Sequence, residues 1–303
     1  MKFGFLTDTH FSVIRNAFRT DNYHDSVLSK FRQCYKWFAD NGVEFVVHGG
    51  DVFDKYRSYS FPMISEIRDV IVNSGLTTYF IWGQHDLRGY NRDSSDGSNL
   101  AFLRDICDGK LTEVTDALEL ENCRLVASHV DMEPIQRLEG IEKSDKPVIV
   151  IVHALLYDRG SNFGTIDVHQ IRTAADVVLS GDLHCGYPQT RVNNTVFYNP
   201  GSLARTSREE RLPKCCIVEL SDGDVAIQEF LPECEQFPFP EKEEEIKVDE
   251  KKQDSEEYIE AFEKFKSETK DIFERLEKVG NEFGVDKKIL EYIKSKNSME
   301  SER

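Results

Sequence analysis

The chain has 303 residues, enough for one large domain and a short appendage, and no run reaches the roughly 18 apolar residues that a membrane span requires. A formal net charge of −17 excludes nonspecific attraction to nucleic acid through a basic surface, because such binding is driven by counterion release from phosphates. Seven cysteines without paired spacing fit a reducing compartment rather than a disulfide framework, and a strand-like run stands where a signal peptide would, so a cytoplasmic protein is expected.

The run Lys2-Phe3-Gly4-Phe5-Leu6 predicts a buried strand, and Asp8-Thr9-His10 follows it at once. Residues 26–40 predict a helix, with Val27, Phe31, Cys34, Tyr35 and Phe38 at helical spacing. Residues 43–48 predict the next strand, which runs into Gly50-Asp51-Val52-Phe53-Asp54. A second helix is expected over 61–73, where Pro62 suits a first turn, and a strand over 78–82 leads to Gly83-Gln84-His85-Asp86. Strands over 147–152 and 176–179 deliver His153 and then Gly181-Asp182-Leu183-His184. This β-α-β alternation predicts an α/β sandwich. From 195 to 230 the strands come without long helices between them, which predicts antiparallel pairing there.

Composition changes near residue 232. Pro232, Pro238 and Pro240 precede a stretch that is nearly all charged, so a core of residues 1–232 is expected to give way to a solvated linker over 233–255. Tyr258, Ala261, Phe262, Phe265, Ile272, Phe273, Leu276, Val279 and Phe283 then share one helical face, Gly284 breaks the run, and a shorter one follows. A helical hairpin over 256–303 is expected, packed either on its own domain or on a partner.

In each motif an Asp, His or amide arrives as a strand ends, where an α/β fold presents ligands to a crevice. Phosphodiester hydrolysis needs a nucleophile at neutral pH, neutralisation of the phosphate and a proton for the leaving oxygen. Two divalent ions about 3.5–4 Å apart supply the first two. Such a pair needs a bridging carboxylate and mixed nitrogen and oxygen donors from several strand ends; Asp8, His10, Asp51, Gln84, His153, Asp182 and His184 form that set. A negative chain is compatible with a phosphate substrate here because bound cations invert the local field.

These segments resemble the calcineurin-like metallophosphoesterases, whose pattern is D-x-H, G-D-x-x-D, G-N-H-[DE], a separate His and G-H-x-H. Within that superfamily the chain is most similar to SbcD-type DNA repair nuclease subunits of bacteria and phages. The narrower likeness rests on Gly50–Asp54, Gly83–Leu87 and Asn199-Pro200-Gly201-Ser202-Leu203-Ala204-Arg205-Thr206-Ser207, and it spans roughly residues 1–220. It implies a four-layer α/β/β/α sandwich and Mn²⁺-dependent exonuclease or endonuclease activity in DNA repair and recombination. Asp8, His10, Asp51 and His184 would hold one ion; Asp51, Gln84, His153 and Asp182 would hold the other, with Asp51 bridging. His85 would be the catalytic histidine and Asp86 would orient its ring. The tail hairpin resembles in position the segment that clasps the coiled-coil base of an SbcC-like ATPase, so residues 256–296 are the expected docking element. DNA is the implied substrate, a homodimer is allowed, and no membrane is involved. There is no room between 221 and 255 for a DNA-capping domain of the usual size.

Two positions depart from the pattern. Gln84 stands where Asn is usual and Asp182 where His is usual, so the second site is richer in oxygen, which favours Mn²⁺ or Mg²⁺ over softer ions. Arg88, Arg92 and Arg205 are candidates for substrate contact, with Ser207 beside the last; for Arg205 and Ser207 a structural role is equally open. His24, His48, His129 and His169 fit no motif and are read as core or surface residues. A phosphatase or cyclic-nucleotide phosphodiesterase on the same fold, and a regulatory subunit with weakened catalysis, are the alternative functions.

Overall fold

The first two strands, β1 (Lys2–Leu6) and β2 (Phe45–His48), alternate in what they face. Phe3, Phe5, Phe45 and Val47 turn to one buried cluster, while Leu6 and Val46 turn to another. Both faces of the sheet are therefore covered, which is why these strands read as unbroken apolar runs. In chain order, helix α1 (Tyr23–Asp40) lies between them, followed by α2 (Phe61–Asn73), β3 (Thr78–Phe80), α3 (Asn99–Ile106), β4 (Leu111–Glu113), β5 (Ala117–Glu119), β6 (Arg124–Ser128) and α4 (Pro134–Glu139). Then come β7 (Val148–His153), β8 (Leu156–Tyr157), β9 (Ile166–Asp167), β10 (Val177–Gly181), β11 (Tyr187–Val192), β12 (Thr195–Asn199), β13 (Cys215–Ser221) and β14 (Asp224–Phe230). This computed structural model describes residues 1–14, 19–57, 60–159, 165–207, 210–221, 223–234 and 238–239.

One six-stranded sheet runs β14-β13-β1-β2-β3-β4 and the other β11-β12-β10-β7-β6-β5. Strands β1 to β4 are parallel, as are β6, β7, β10 and β12, while β5, β11, β13 and β14 add antiparallel neighbours. The expected antiparallel pairing after residue 195 thus holds for β13 and β14 and for β12 against β11, but on its other edge β12 is parallel to β10. The β11–β12 hairpin turns β12 round to lie parallel to β10.

Phe3, Phe5, Val47, Ile149, Ile151, Leu179, Tyr198 and Val218 fill the space between the sheets. Each such side chain contributes about 1.5–3 kcal/mol on full burial. On the outer face of the first sheet, α1, α2 and α3 bring Phe31, Phe38, Ile67 and Leu103 into a second cluster. Val150, Val178 and Phe197 on the outer face of the second sheet pack under Leu138 of α4, Leu156 and Val168, a thinner outer layer. The result is the mixed α/β sandwich that the sequence predicts. Helix α1 starts at Asn22, whose side chain accepts from the Asp25 amide, and α2 at Ser60, with Pro62 in the first turn.

Met1–Phe239 forms one compact unit. The chain is still tied to it beyond 232: the Thr20 amide donates to Pro238 O at 2.8 Å and the Glu233 amide to Gln33 Oε1 at 2.8 Å. The charged stretch over 240–255 and the hairpin expected over 256–303 lie outside the described residues. Among the described residues, no helix is long and apolar enough to cross a membrane.

Candidate metal centre

Strands β1, β2 and β3 of one sheet and β7 and β10 of the other release their motifs at a common crevice. The loops after β1 and β2 are zipped together: the Asp8 amide donates to Gly50 O at 3.1 Å and the His10 amide to Asp51 O at 3.0 Å. Asp8, His10, Asp51 and Asp182 all have positive φ, at 52°, 42°, 51° and 73°. Left-handed backbone on non-glycine residues costs on the order of 1–3 kcal/mol each and persists where the surroundings over-determine it. Four of the seven expected ligands carry that strain, which turns each side chain back into the crevice at the end of its strand. Gly50 at φ 99° admits the same turn after β2, and Gly83 lets the β3 loop touch Asp51, whose carboxylate and amide a Cβ there would overlap.

The donors converge. His10 Nε2 lies 3.0 Å from His184 Nε2, 3.9 Å from Asp8 Oδ1 and 3.7 Å from Asp51 Oδ2. His153 Nε2 lies 3.4 Å from the same Asp51 Oδ2, and His184 Nε2 lies 3.8 Å from Asp8 Oδ1. Three groups thus place one donor atom each within 4.8 Å of one another: Asp8, His10 and His184; His10, Asp51 and His85; and Asp8, Asp51 and His153. Asp51 faces both halves of the site. Its Oδ1 accepts from the His85 amide at 2.8 Å, which leaves Oδ2 between His10 and His153.

Asp51 Oδ2, His153 Nε2 and Gln84 Oε1 are buried and have no hydrogen-bond partner. Buried polar atoms left unpaired cost about 1–3 kcal/mol each, and a divalent cation satisfies all three kinds. The residues therefore fit a metal pair. His153 Nδ1 donates to Gly49 O at 2.7 Å, which turns Nε2 to the crevice. Protein groups alone perturb one another strongly. Burial pushes the Asp8 carboxyl up to about 6 and His10 down to about 3. Burial also disfavours charge on His153 and His184, but Asp51 holds the first up at about 10, and Glu210 with Asp8 holds the second at about 9. Asp51 stays well below the ordinary carboxylate range, because His153 and His10 outweigh its burial.

The two unusual residues meet. Gln84 Nε2 donates to Asp182 Oδ1 at 2.6 Å, and the Asp182 amide is shared between both Asp8 carboxylate oxygens at 3.2 Å. The amide bond leaves Gln84 Oε1 as the free donor to a cation. His85 stands at the exposed mouth with its ring edge-on to His10 at 4.8 Å between centroids.

Asp86 does not hold that ring, contrary to expectation. It is buried and accepts from the amides of Val52, Phe53 and Gly83 at 3.2, 3.0 and 3.3 Å, which staples the β2 and β3 loops together. His85 Nδ1 is held instead by Asp54 O at 2.8 Å, which leaves Nε2 without a hydrogen bond among the described residues. The arginines also divide. Arg92 pairs with Asp131 at 2.9 Å, Arg205 is buried and donates to Glu210 O at 3.2 Å, and Arg88 is exposed.

Three supporting residues escape the sequence reading. His48 Nδ1 accepts from the Gly50 amide at 3.2 Å, and its Nε2 meets Thr9 Oγ1 at 3.1 Å, which fixes the turn before Asp51. Thr7 Oγ1 donates to Asp8 Oδ2 at 2.7 Å, and Glu210 lies against His184 Nδ1 at 3.2 Å. His48 and Thr7 had a signal in their position, at the strand ends beside ligands. Glu210 had none, being far along the chain.

Two sheets releasing Asp, His and amide donors into one crevice define the class of metal-dependent phosphoesterases. The chain belongs to the calcineurin-like phosphoesterase family, whose sequence profile matches residues 1–186. Among solved structures, a dimetal phosphatase from Danio rerio is 12% identical, with a TM-score of 0.53, covering 77% of this chain and 96% of that one. An archaeal phosphodiesterase is 16% identical with a TM-score of 0.42, covering 76% of this chain and 100% of its own. A predicted phosphoesterase from Streptococcus pneumoniae TIGR4 is 16% identical with a TM-score of 0.39, covering 78% and 92%. No curated protein matches the chain.

Proposed function

We propose that the chain is a Mn²⁺-dependent DNA nuclease, the nuclease subunit of an SbcCD-like repair complex. The observation that carries the hydrolytic reading is Asp51 Oδ2, buried, unpaired, and set 3.7 Å from His10 Nε2 and 3.4 Å from His153 Nε2. That is where a carboxylate shared by two cations belongs. Asp8, His10, Asp51 and His184 would hold one ion, and Asp51, Gln84, His153 and Asp182 the other. Such a pair, when bound, supplies an activated water and neutralises the phosphate.

The protein's own contribution is positioning and a proton. Asp54 O fixes His85 Nδ1, so the opposite nitrogen is the one that donates a proton to the departing oxygen. Arg88, exposed on the same loop, steers the phosphate. The nuclease part is supported by the motifs Gly50–Asp54, Gly83–Leu87 and Asn199–Ser207. Because the chain carries a charge of −17, stable DNA binding falls to a basic partner, and residues 256–296 are the proposed dock for a coiled-coil ATPase.

The test is cleavage of labelled linear and hairpin DNA with Mn²⁺ or Mg²⁺, with and without an SbcC-like ATPase, beside p-nitrophenyl phosphate and cyclic nucleotides. DNA cleavage is expected. Turnover of the small esters with none of DNA overturns the nuclease reading in favour of a phosphatase or cyclic-nucleotide phosphodiesterase. The weakened-subunit alternative is favoured by the Gln84–Asp182 hydrogen bond, which occupies Asp182 Oδ1, one of the second ion's expected donors, from within the protein. A bound stoichiometry of one ion or none would select it.

A further inference from the structure

Arg205 and Ser207, open between DNA contact and a structural role, belong to the stretch Asn199–Ser207, which is hydrogen-bonded to the backbone beside two expected ligands. Ser202 donates through its amide to His184 O at 2.9 Å and through Oγ to Asp8 O at 3.0 Å. The Leu203 and Ala204 amides donate to Thr7 O and Asp8 O, both at 3.2 Å. Two buried cations grip the far side: Lys30 Nζ donates to Ala204 O at 2.8 Å, and Arg19 Nη1 to Ala204 O and Arg205 O at 2.9 and 2.7 Å. The loop is therefore fixed against both α1 and the β1 motif.

This loop carries a carboxylate. Glu210, almost fully buried, accepts from Thr206 Oγ1 at 2.6 Å and from the amides of Thr206 and Ser207 at 2.9 and 3.0 Å. Its Oε1 also lies 3.2 Å from His184 Nδ1, which Thr206 Oγ1 approaches less closely, at 3.5 Å. We infer that Glu210 is a positioning residue for the first metal, holding His184 by Nδ1 so that Nε2 faces Asp8 and His10. A metal-binding imidazole commonly donates its other ring N–H to a carboxylate, which fixes tautomer and ring angle and strengthens the donor. Here the partner comes from a segment 26 residues away that is itself clamped to the backbone of a second ligand, Asp8. The role rests on the metal-centre reading above and goes beyond it, because neither the motifs nor the family pattern assigns Glu210 any part.

The test is isothermal titration of the full chain with Mn²⁺, for the parent, Glu210→Ala, Glu210→Gln, His184→Ala and the two double variants that combine each Glu210 change with His184→Ala. Loss of such a partner weakens metal affinity by about 10–100-fold. Glu210→Ala should lose this for one ion and leave the other unchanged, and Glu210→Gln, which still offers an acceptor oxygen, should lose less. In the His184→Ala background Glu210→Ala should cost nothing more, since a residue that acts through the ring has nothing left to hold. A merely structural loop role predicts additive losses, and that result overturns the inference. So does an unchanged affinity in both Glu210 variants. If Glu210→Ala does not fold, the comparison of Glu210→Gln in the parent and His184→Ala backgrounds decides by the same criterion. A parent chain that binds no Mn²⁺ would overturn the metal-centre reading itself, a different result from a parent that binds two ions and variants that match it.

Discussion

His85 and Asp51 sit one hydrogen bond apart and are expected to fail differently. The His85 ring is held by Asp54 O, and its bond to Asp51 comes from the backbone amide, which a side-chain change retains, so His85→Ala should lower turnover by about 10²–10⁴-fold while two ions still bind. Steady-state kinetics beside metal titration checks this; loss of an ion would make His85 a ligand. The 2.6 Å bond between Gln84 and Asp182 makes their replacement nonadditive. Gln84→Asn alone breaks a bond that spans two loops, and Asp182→His alone leaves the amide opposite a ring. Each should lower the affinity for the second ion, and the double change should recover it. Strictly additive affinities would mean that the two departures are independent. Protons also compete with the cation. The nearby carboxylates raise His184 to about 9 and His153 to about 10, which favours their protonated forms, and each must lose a proton to bind a metal through Nε2. Mn²⁺ affinity should therefore rise with pH up to about 9–10 and binding should release protons, read from titrations in buffers of different ionisation enthalpy. Proton-free binding would contradict the assignment.

At the scale of elements, the site depends on how closely the loops after β2 and β3 approach. Asp86, buried and with its carboxyl pushed up to about 7 by burial and by Asp51, holds the amides of both loops. Gly83 is the point of contact with Asp51. A methyl group there must push either the β3 loop or the bridging carboxylate aside. Gly83→Ala should accordingly weaken both ions together, by about tenfold or more, and lower stability by about 1–3 kcal/mol, because the added methyl meets the Asp51 backbone amide as well as its carboxylate. Metal titration and thermal unfolding of the variant check the two halves. A variant that loses only one ion would show that Asp51 is not shared.

For the whole molecule, Met1–Phe239 is the unit that contains every proposed ligand, and the apolar stripe of Phe262, Phe265, Phe273, Leu276 and Phe283 lies beyond it in sequence. An apolar stripe of that extent usually marks a contact site, since exposed patches beyond a few hundred Å² seldom stay bare. Truncation at Glu250 should abolish capture by an SbcC-like ATPase in a pull-down and leave Mn²⁺-dependent cleavage of short single-stranded DNA intact. If the shortened chain unfolds or loses metal, the stripe belongs to the core and the docking proposal fails.

The sequence by itself determined the strands that carry chemistry and the family, because a buried parallel strand is a short apolar run and each motif follows its strand directly, as Val148–His153 shows. It also pointed to α1 and α2 through their spacing and the proline at α2. It did not reveal β6, the parallel placement of β12 or the thin outer layer of the second sheet, since pairing partners are chosen by neighbours distant in sequence. The donor residues were legible because each sits in a motif of adjacent residues. Their supports were not: Asp54 holds His85 through a backbone carbonyl, which has no residue signature, and Glu210 reaches His184 across 26 residues. Adjacency in sequence points Asp86 at the His85 ring, but folding turns its carboxylate to three amides that only the packed loops bring together. Local order fixes which atoms can bind a cation; tertiary packing decides which way each of them faces.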